Sequence, residues 1–203
     1  LPLRNGVPTG FNPLQLPPTA ETIEFLTVWL RALVRGTVPL TIREEGDLDA
    51  ALMGTLALDA SARRLSRLIE FTDATRSEGI HMRLARWCES TQGHYAWVFD
   101  NAEDSLVGQL AKASLFGVDV TEFLDNALTR APVTLYLFHV IRQLLDGRKF
   151  VCWMDEFWKL LSDPSFEGFA KDGPKTWRKL NGVMCLATQS ASDVLDSPIS
   201  RTI

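Results

Sequence analysis

Cysteine, histidine and tyrosine are scarce in this chain, at three, three and two residues among 203. Three cysteines (Cys88, Cys152 and Cys185) are an odd count, and two of them fall in predicted core strands, so buried reduced thiols in a cytosolic compartment are expected rather than a disulfide framework. His81, His94 and His139 are scattered, and His81 and Cys88 have no second pair beside them, so no metal site is read from histidine and cysteine. No apolar run approaches the ~20 residues that a membrane span needs. The opening Leu1-Pro2-Leu3-Arg4-Asn5-Gly6 has no charged-then-apolar secretory design and no initiator Met, which suggests an excised piece. Positive charge is not in excess: 21 Lys and Arg face 25 Asp and Glu, a net charge of −4, which argues against a broadly basic nucleic-acid surface. Internal repeats and low-complexity segments are also missing.

What remains is an ordinary globular composition, 46% hydrophobic and 23% charged, in a chain long enough for a sizeable core and one or two domains. Residues 1–18 are rich in Pro and Gly and read as extended loop. Thr19 is placed to cap a helix carrying Ile23, Leu26, Leu30 and Leu33 on one face, with Gly36 as the stop. Thr41-Ile42-Arg43-Glu44 has capping-box spacing and opens a helix through Leu48, Leu52 and Leu56, weakened by Gly46 and Gly54. Further helices are expected around Leu65, Leu68 and Ile69, and around Ile80, Leu84 and Trp87. Arg63, Arg64 and Arg67, beside an apolar stripe, read as a solvated face. Beyond this helical stretch, Tyr95-Ala96-Trp97-Val98-Phe99 reads as a strand and Leu115-Phe116-Gly117-Val118 as a weaker one. Thr121 is expected to cap a short helix to Leu128, and Pro132 to stand in the first turn of a helix closing at Gly147.

The chain is organised around Phe150-Val151-Cys152-Trp153-Met154-Asp155-Glu156. Five apolar residues running into two acids suit a strand buried on both faces of a parallel sheet, with the acids at its carboxyl edge, where ligands of open α/β sheets gather. In a P-loop nucleotidase an aspartate there holds Mg²⁺, directly or through water, and a following glutamate polarises the attacking water. The simpler alternative is that the acids cap the next helix, whose positive end they meet; Phe157-Trp158-Lys159-Leu160-Leu161 resumes with helical spacing. After two short helices (164–170 and 174–180, broken at Gly173), Val183-Met184-Cys185-Leu186-Ala187-Thr188 repeats the buried-strand pattern and ends at Gln189-Ser190. An amide on that tip can report on a γ-phosphate or satisfy a loop. The order helix, strand, helices, strand predicts a parallel sheet.

These residues resemble the type IV secretion and conjugal-transfer ATPases of the VirB-four, TrbE and CagE kind. The matching stretches are Gly10-Phe11-Asn12-Pro13-Leu14-Gln15-Leu16, Tyr136-Leu137-Phe138-His139, Asp146-Gly147-Arg148, Met154-Asp155-Glu156-Phe157-Trp158-Lys159-Leu160, and Trp177-Arg178-Lys179-Leu180-Asn181-Gly182 with Ala187-Thr188-Gln189-Ser190. Each alone is weak, but together they cover nearly the whole chain. The resemblance implies an α/β fold: a partial RecA-like P-loop nucleotidase core, with parallel sheet and flanking helices, carrying an all-helical insertion. It implies a division into a leading segment (1–18), a mainly helical insertion (19–130) and the partial core (131–203). It also implies ATP and Mg²⁺ as cofactors, with Asp155 holding the metal, Glu156 activating water, Gln189 sensing the γ-phosphate, and Arg178, or Lys179 beside it, reaching a neighbouring subunit's nucleotide. Other secretion components at the cytoplasmic face of a bacterial inner membrane are the implied partners, a hexamer the implied assembly, and no direct nucleic-acid contact is expected of this piece.

Two departures stand out. Val140 occupies a position where the resemblance leads to an arginine. No G-x-x-x-x-G-K-[ST] occurs, so the loop that cradles the phosphates is missing; in the family it lies upstream of Asn12-Pro13. An internal fragment with half an active site, inactive alone, is therefore expected. A docking module of the secretion complex, with the acids as caps, is the alternative, and a DNA-pumping relative a third.

Overall fold

The computed structural model describes residues 1–156, Phe166, Gly173, 176–188, Ser192 and Leu195. They fall into two compact units, Leu1–Glu122 and Phe123–Ile203.

The first unit is helical. Helix α1 (Ala20–Leu33) starts where Thr19 Oγ1 accepts the Thr22 N–H at 3.2 Å, and it buries Leu26, Trp29, Leu30 and Leu33. It stops at Val34, two residues before the expected glycine. Helix α2 (Ile42–Leu56) has the predicted capping box: Thr41 Oγ1 accepts from Glu44 N at 3.2 Å and Glu44 Oε2 accepts from Thr41 N at 2.9 Å. Gly54 is of use there, because a Cβ would stand 3.0 Å from the Phe71 ring. Short helices α3 (Leu65–Leu68), α4 (Ile80–Ala85), α5 (Ala96–Phe99) and α6 (Leu106–Lys112) follow. Phe99 sits at the core, edge-on to Trp29 at 5.1 Å and near Trp87 at 6.0 Å and Phe11 at 6.4 Å.

Two expected strands do not form. Ala96–Phe99 make α5, with Tyr95 at its N-cap, since a short apolar run reads equally as buried helix and no described strand pairs with it. Leu115–Val118 is irregular, with Leu115 almost fully exposed; beyond it, Asp119 forms only an isolated parallel bridge to Pro2. Residues 1–18 run without regular structure apart from a turn at Asn5–Gly6 and a 3₁₀ turn at Pro13–Gln15, and they bury Leu3, Phe11, Leu14 and Leu16. Asn12 clasps this segment down, its Nδ2 donating to Arg63 O at 2.9 Å and Asn101 O at 2.8 Å. Gly10, at φ +73°, receives the Ser105 N–H on its carbonyl at 2.8 Å, and a Cβ there would lie 2.3 Å from Ser105 Oγ.

Arg64 is not part of a solvated face. With Ser66 and Glu89 it surrounds the buried Asp100 carboxylate, which accepts from Arg64 Nε at 3.1 Å, Ser66 N at 2.9 Å, Glu89 N at 2.7 Å and the Ser66 hydroxyl. Burial opposes the Arg64 charge, but the hydrogen bonds and charges of Asp100 and Glu89 outweigh it and raise the guanidinium pKa.

A four-residue helix, α7 (Thr121–Leu124), ends sooner than Leu128 because Asn126 opens the next helix, α8 (Ala127–Gln143). Asn126 Oδ1 accepts from Leu128 N at 2.9 Å, so Pro132 lies inside α8 rather than in its first turn. In the second unit α8 is buried on nearly all sides between Ala131 and Val140, with Val133, Tyr136, Leu137 and Val140 covered along with the polar Thr134 and His139. Burial accounts for valine at position 140, where a guanidinium would be desolvated. Helix α8 ends at Gln143, and Gly147, at φ +95°, turns the chain into β1 (Phe150–Met154). Strand β2 (Gly182–Leu186) pairs parallel with it, from Phe150↔Gly182 to Met154↔Leu186.

The parallel pairing is as predicted; burial on both faces is not. Val151 is 56%, Trp153 78% and Val183 53% exposed, whereas Phe150, Cys152 and Met154 on the other face are half-buried. Phe150 meets the buried Trp177 ring at 5.8 Å. Gly173, expected to break a helix, is itself helical, as are Thr176–Lys179. The helical spacing expected from Phe157 to Leu161 and most of 164–175 lie outside the described residues.

Candidate functional site at the carboxyl edge of the parallel strands

Asp155 and Glu156 directly follow Met154, the last residue of β1. The Met154 carbonyl accepts the Ala187 N–H at 2.8 Å, so the tips of β1 and β2 are tied side by side and residues 155–156 and 187–188 leave the same sheet edge. Asp155 is exposed and Glu156 half-buried. Glu156 has φ +55°, and its N–H donates to Asp155 Oδ1 at 2.9 Å. This edge therefore presents two acids, one of them on left-handed backbone. Gln189, third after the end of β2, lies outside the described residues.

Arg178 and Lys179 are exposed and lie just ahead of β2, at its amino end. Because the strands are parallel, that is the opposite edge from Asp155 and Glu156, and five residues at ~3.3 Å each put more than 13 Å between the two edges. Two turns fix the amino edge: Asn181, at φ +60°, donates through Nδ2 to Gly147 O at 2.7 Å and accepts Phe150 N at 3.2 Å. Gly182 fits there because a Cβ would stand 3.0 Å from Leu145 Cδ2 and 3.2 Å from Trp177 O. The sequence brings Asp155 and Glu156 together but not Arg178 with them. Asn181 and Gly147 were legible only as members of a matching stretch, with no signal for their pairing.

Among the described residues no group of three His, Cys, Asp or Glu gathers to hold a metal. The Asp155 carboxylate is a hard oxygen donor at an exposed edge, which suits Mg²⁺, an ion that takes one or two protein carboxylates and completes its shell with phosphate and water. Cys88 and Cys152 are poor nucleophiles. Burial raises the Cys88 pKa, and burial with the nearby Cys185 pushes Cys152 up to about 11.

The chain is a mixed helix and strand protein with a small parallel two-stranded sheet that ends in two acids at its carboxyl edge. No protein-family model matches the chain. Over its whole length it is 41% identical to the type IV secretion system protein PtlC of Bordetella pertussis, 43% to VirB4 of Bartonella henselae and 37% to VirB4 of Brucella abortus. The chain is thus a homologue of the VirB4 and PtlC type IV secretion proteins, and it spans about a quarter of their length (25%). Its fold is similar to a solved structure of VirB4 from Thermoanaerobacter pseudethanolicus, with a TM-score of 0.63 at 20% identity over 95% of this chain and 57% of the other.

Proposed function

We propose that the chain is part of an ATPase that energises assembly of, and transport through, a type IV secretion system, and that 131–203 is a partial RecA-like core, with 19–130 a mainly helical insertion and 1–18 the segment leading into it. The observation that carries this reading is the pair Asp155–Glu156 at the carboxyl edge of the parallel ladder, in a homologue of type IV secretion proteins. Bound Mg-ATP would supply the polarised γ-phosphate. Asp155 is the residue to hold its metal, Glu156 to orient and deprotonate water, and Gln189 to sense the phosphate. The phosphate-cradling loop is not in these 203 residues, so the chain by itself is proposed to be inactive.

Arg178, more than 13 Å from this edge along the ladder, suits action in trans on the nucleotide of a second copy, as in a hexamer. The proposed location is the cytoplasmic face of the inner membrane beside other secretion components. No described helix is long and apolar enough to cross a membrane. The test is Glu156→Gln in the longer protein that carries this chain: ATP hydrolysis falls by about 10² or more while folding is kept. Undiminished hydrolysis would remove Glu156 as the base and favour the docking-module reading.

A further inference from the structure

The amino edge of the ladder is fastened by Asn181, the last residue before β2. Its Nδ2 donates to Gly147 O at 2.7 Å, and its carbonyl accepts the Phe150 N–H at 3.2 Å. The chain entering β2 is thus tied twice to the chain entering β1. Both connections use left-handed backbone, at Gly147 (φ +95°) and at Asn181 (φ +60°), and asparagine is among the few other types that tolerate it. Asn181 is exposed, so its side-chain bond adds little to folding. What it fixes is the place of the turn before β2.

Arg178 stands in that turn. Its carbonyl accepts the Asn181 N–H at 3.3 Å, and the Trp177 carbonyl accepts the Leu180 N–H at 2.9 Å. Trp177 on one side is buried, with its ring against Phe150 of β1, and Asn181 on the other is tied to Gly147. Arg178 therefore carries an exposed side chain on a backbone held at both ends. We propose that Asn181 is a positioning residue for Arg178: its hold on Gly147 sets where the arginine leaves the amino edge to reach the nucleotide of a second copy. This inference rests on the in-trans reading above. An arginine that must meet a phosphate held by another chain depends on a fixed starting point, because a misplacement of about 1 Å at a reacting centre can cost about 10²-fold in rate. Asn181 itself touches no nucleotide and acts through Arg178.

The test measures single-turnover ATP hydrolysis by the longer protein that carries this chain and the phosphate-binding loop. Wild type is compared with Asn181→Gly, Arg178→Ala and the double variant. Glycine keeps the left-handed turn without the tether. Asn181→Gly is expected to lower the rate about 10-fold or more, with Mg-ATPγS affinity and melting temperature close to wild type. Arg178→Ala lowers it by about 10³-fold. On the Arg178→Ala background Asn181→Gly has no further effect, whereas a turn that only supports the fold would lower both backgrounds by the same factor. Asn181→Asp, which keeps the size but loses the amide donor, behaves as glycine does. A wild-type rate in Asn181→Gly, or an equal loss with and without Arg178, overturns the positioning role. A wild-type rate in Arg178→Ala instead removes the in-trans reading, and the inference with it.

Discussion

Asp100 shows how much of this protein depends on single side chains with no sequence signature. Its carboxylate is buried and ringed by donors from Arg64, Ser66 and Glu89, so that it ties the start of α3 to the turn after Cys88. Asp100→Ala leaves those donors facing a void and is expected to cost about 3 kcal/mol or more, read as a lower urea midpoint at unchanged slope. In the sequence Arg64 was one of three arginines read as a solvated face, and nothing local told which of them turns inward. Cys152 gives a pH prediction. With its pKa pushed up to about 11, the neutral thiol dominates at pH 8, and iodoacetamide labelling should rise about tenfold per pH unit until near that value. A rate already level between pH 8 and 9 would contradict the burial described for this strand.

At the scale of elements, what was legible was what is chemically local. The Thr41 capping box needs four residues, and all four carry it. Thr41→Ala should lower stability by about 1 kcal/mol and Thr41→Ser by a few tenths, measured by denaturant unfolding. The Thr19 cap and the two parallel strands were equally readable, the strands because each is a short apolar run bounded by turn residues. The misreadings came from features with two physical meanings. Pro132 suits a first turn, but Asn126 had already begun α8. The run 95–99 serves as a strand or as one buried helical turn, and packing of Phe99 between Trp29 and Trp87 decided for the helix. The two faces of the sheet also differ in what they support. Trp153→Thr, on the exposed face, should change the stability of this chain by less than about 0.5 kcal/mol, whereas Trp177→Ala, beneath Phe150, should cost about 3–5 kcal/mol.

At the scale of the whole molecule, the candidate site is one edge of one ladder. The placing of Asp155 and Glu156 was legible because an apolar run that stops at two acids announces a strand with both acids at its carboxyl end. The left-handed backbone at Glu156 and the placing of Arg178 at the far edge were not, since both depend on strand direction and turn geometry that the residues alone do not fix. On the proposed function, the chain is the metal-and-water half of a nucleotide site, and the phosphate cradle is supplied by residues outside these 203. Calorimetric titration of Mg-ATPγS into the 203-residue chain, and into one extended through a phosphate-binding loop, tests this most directly. Binding by the extended chain alone is the predicted result. Tight binding by the 203 residues themselves, or by neither protein, would contradict it.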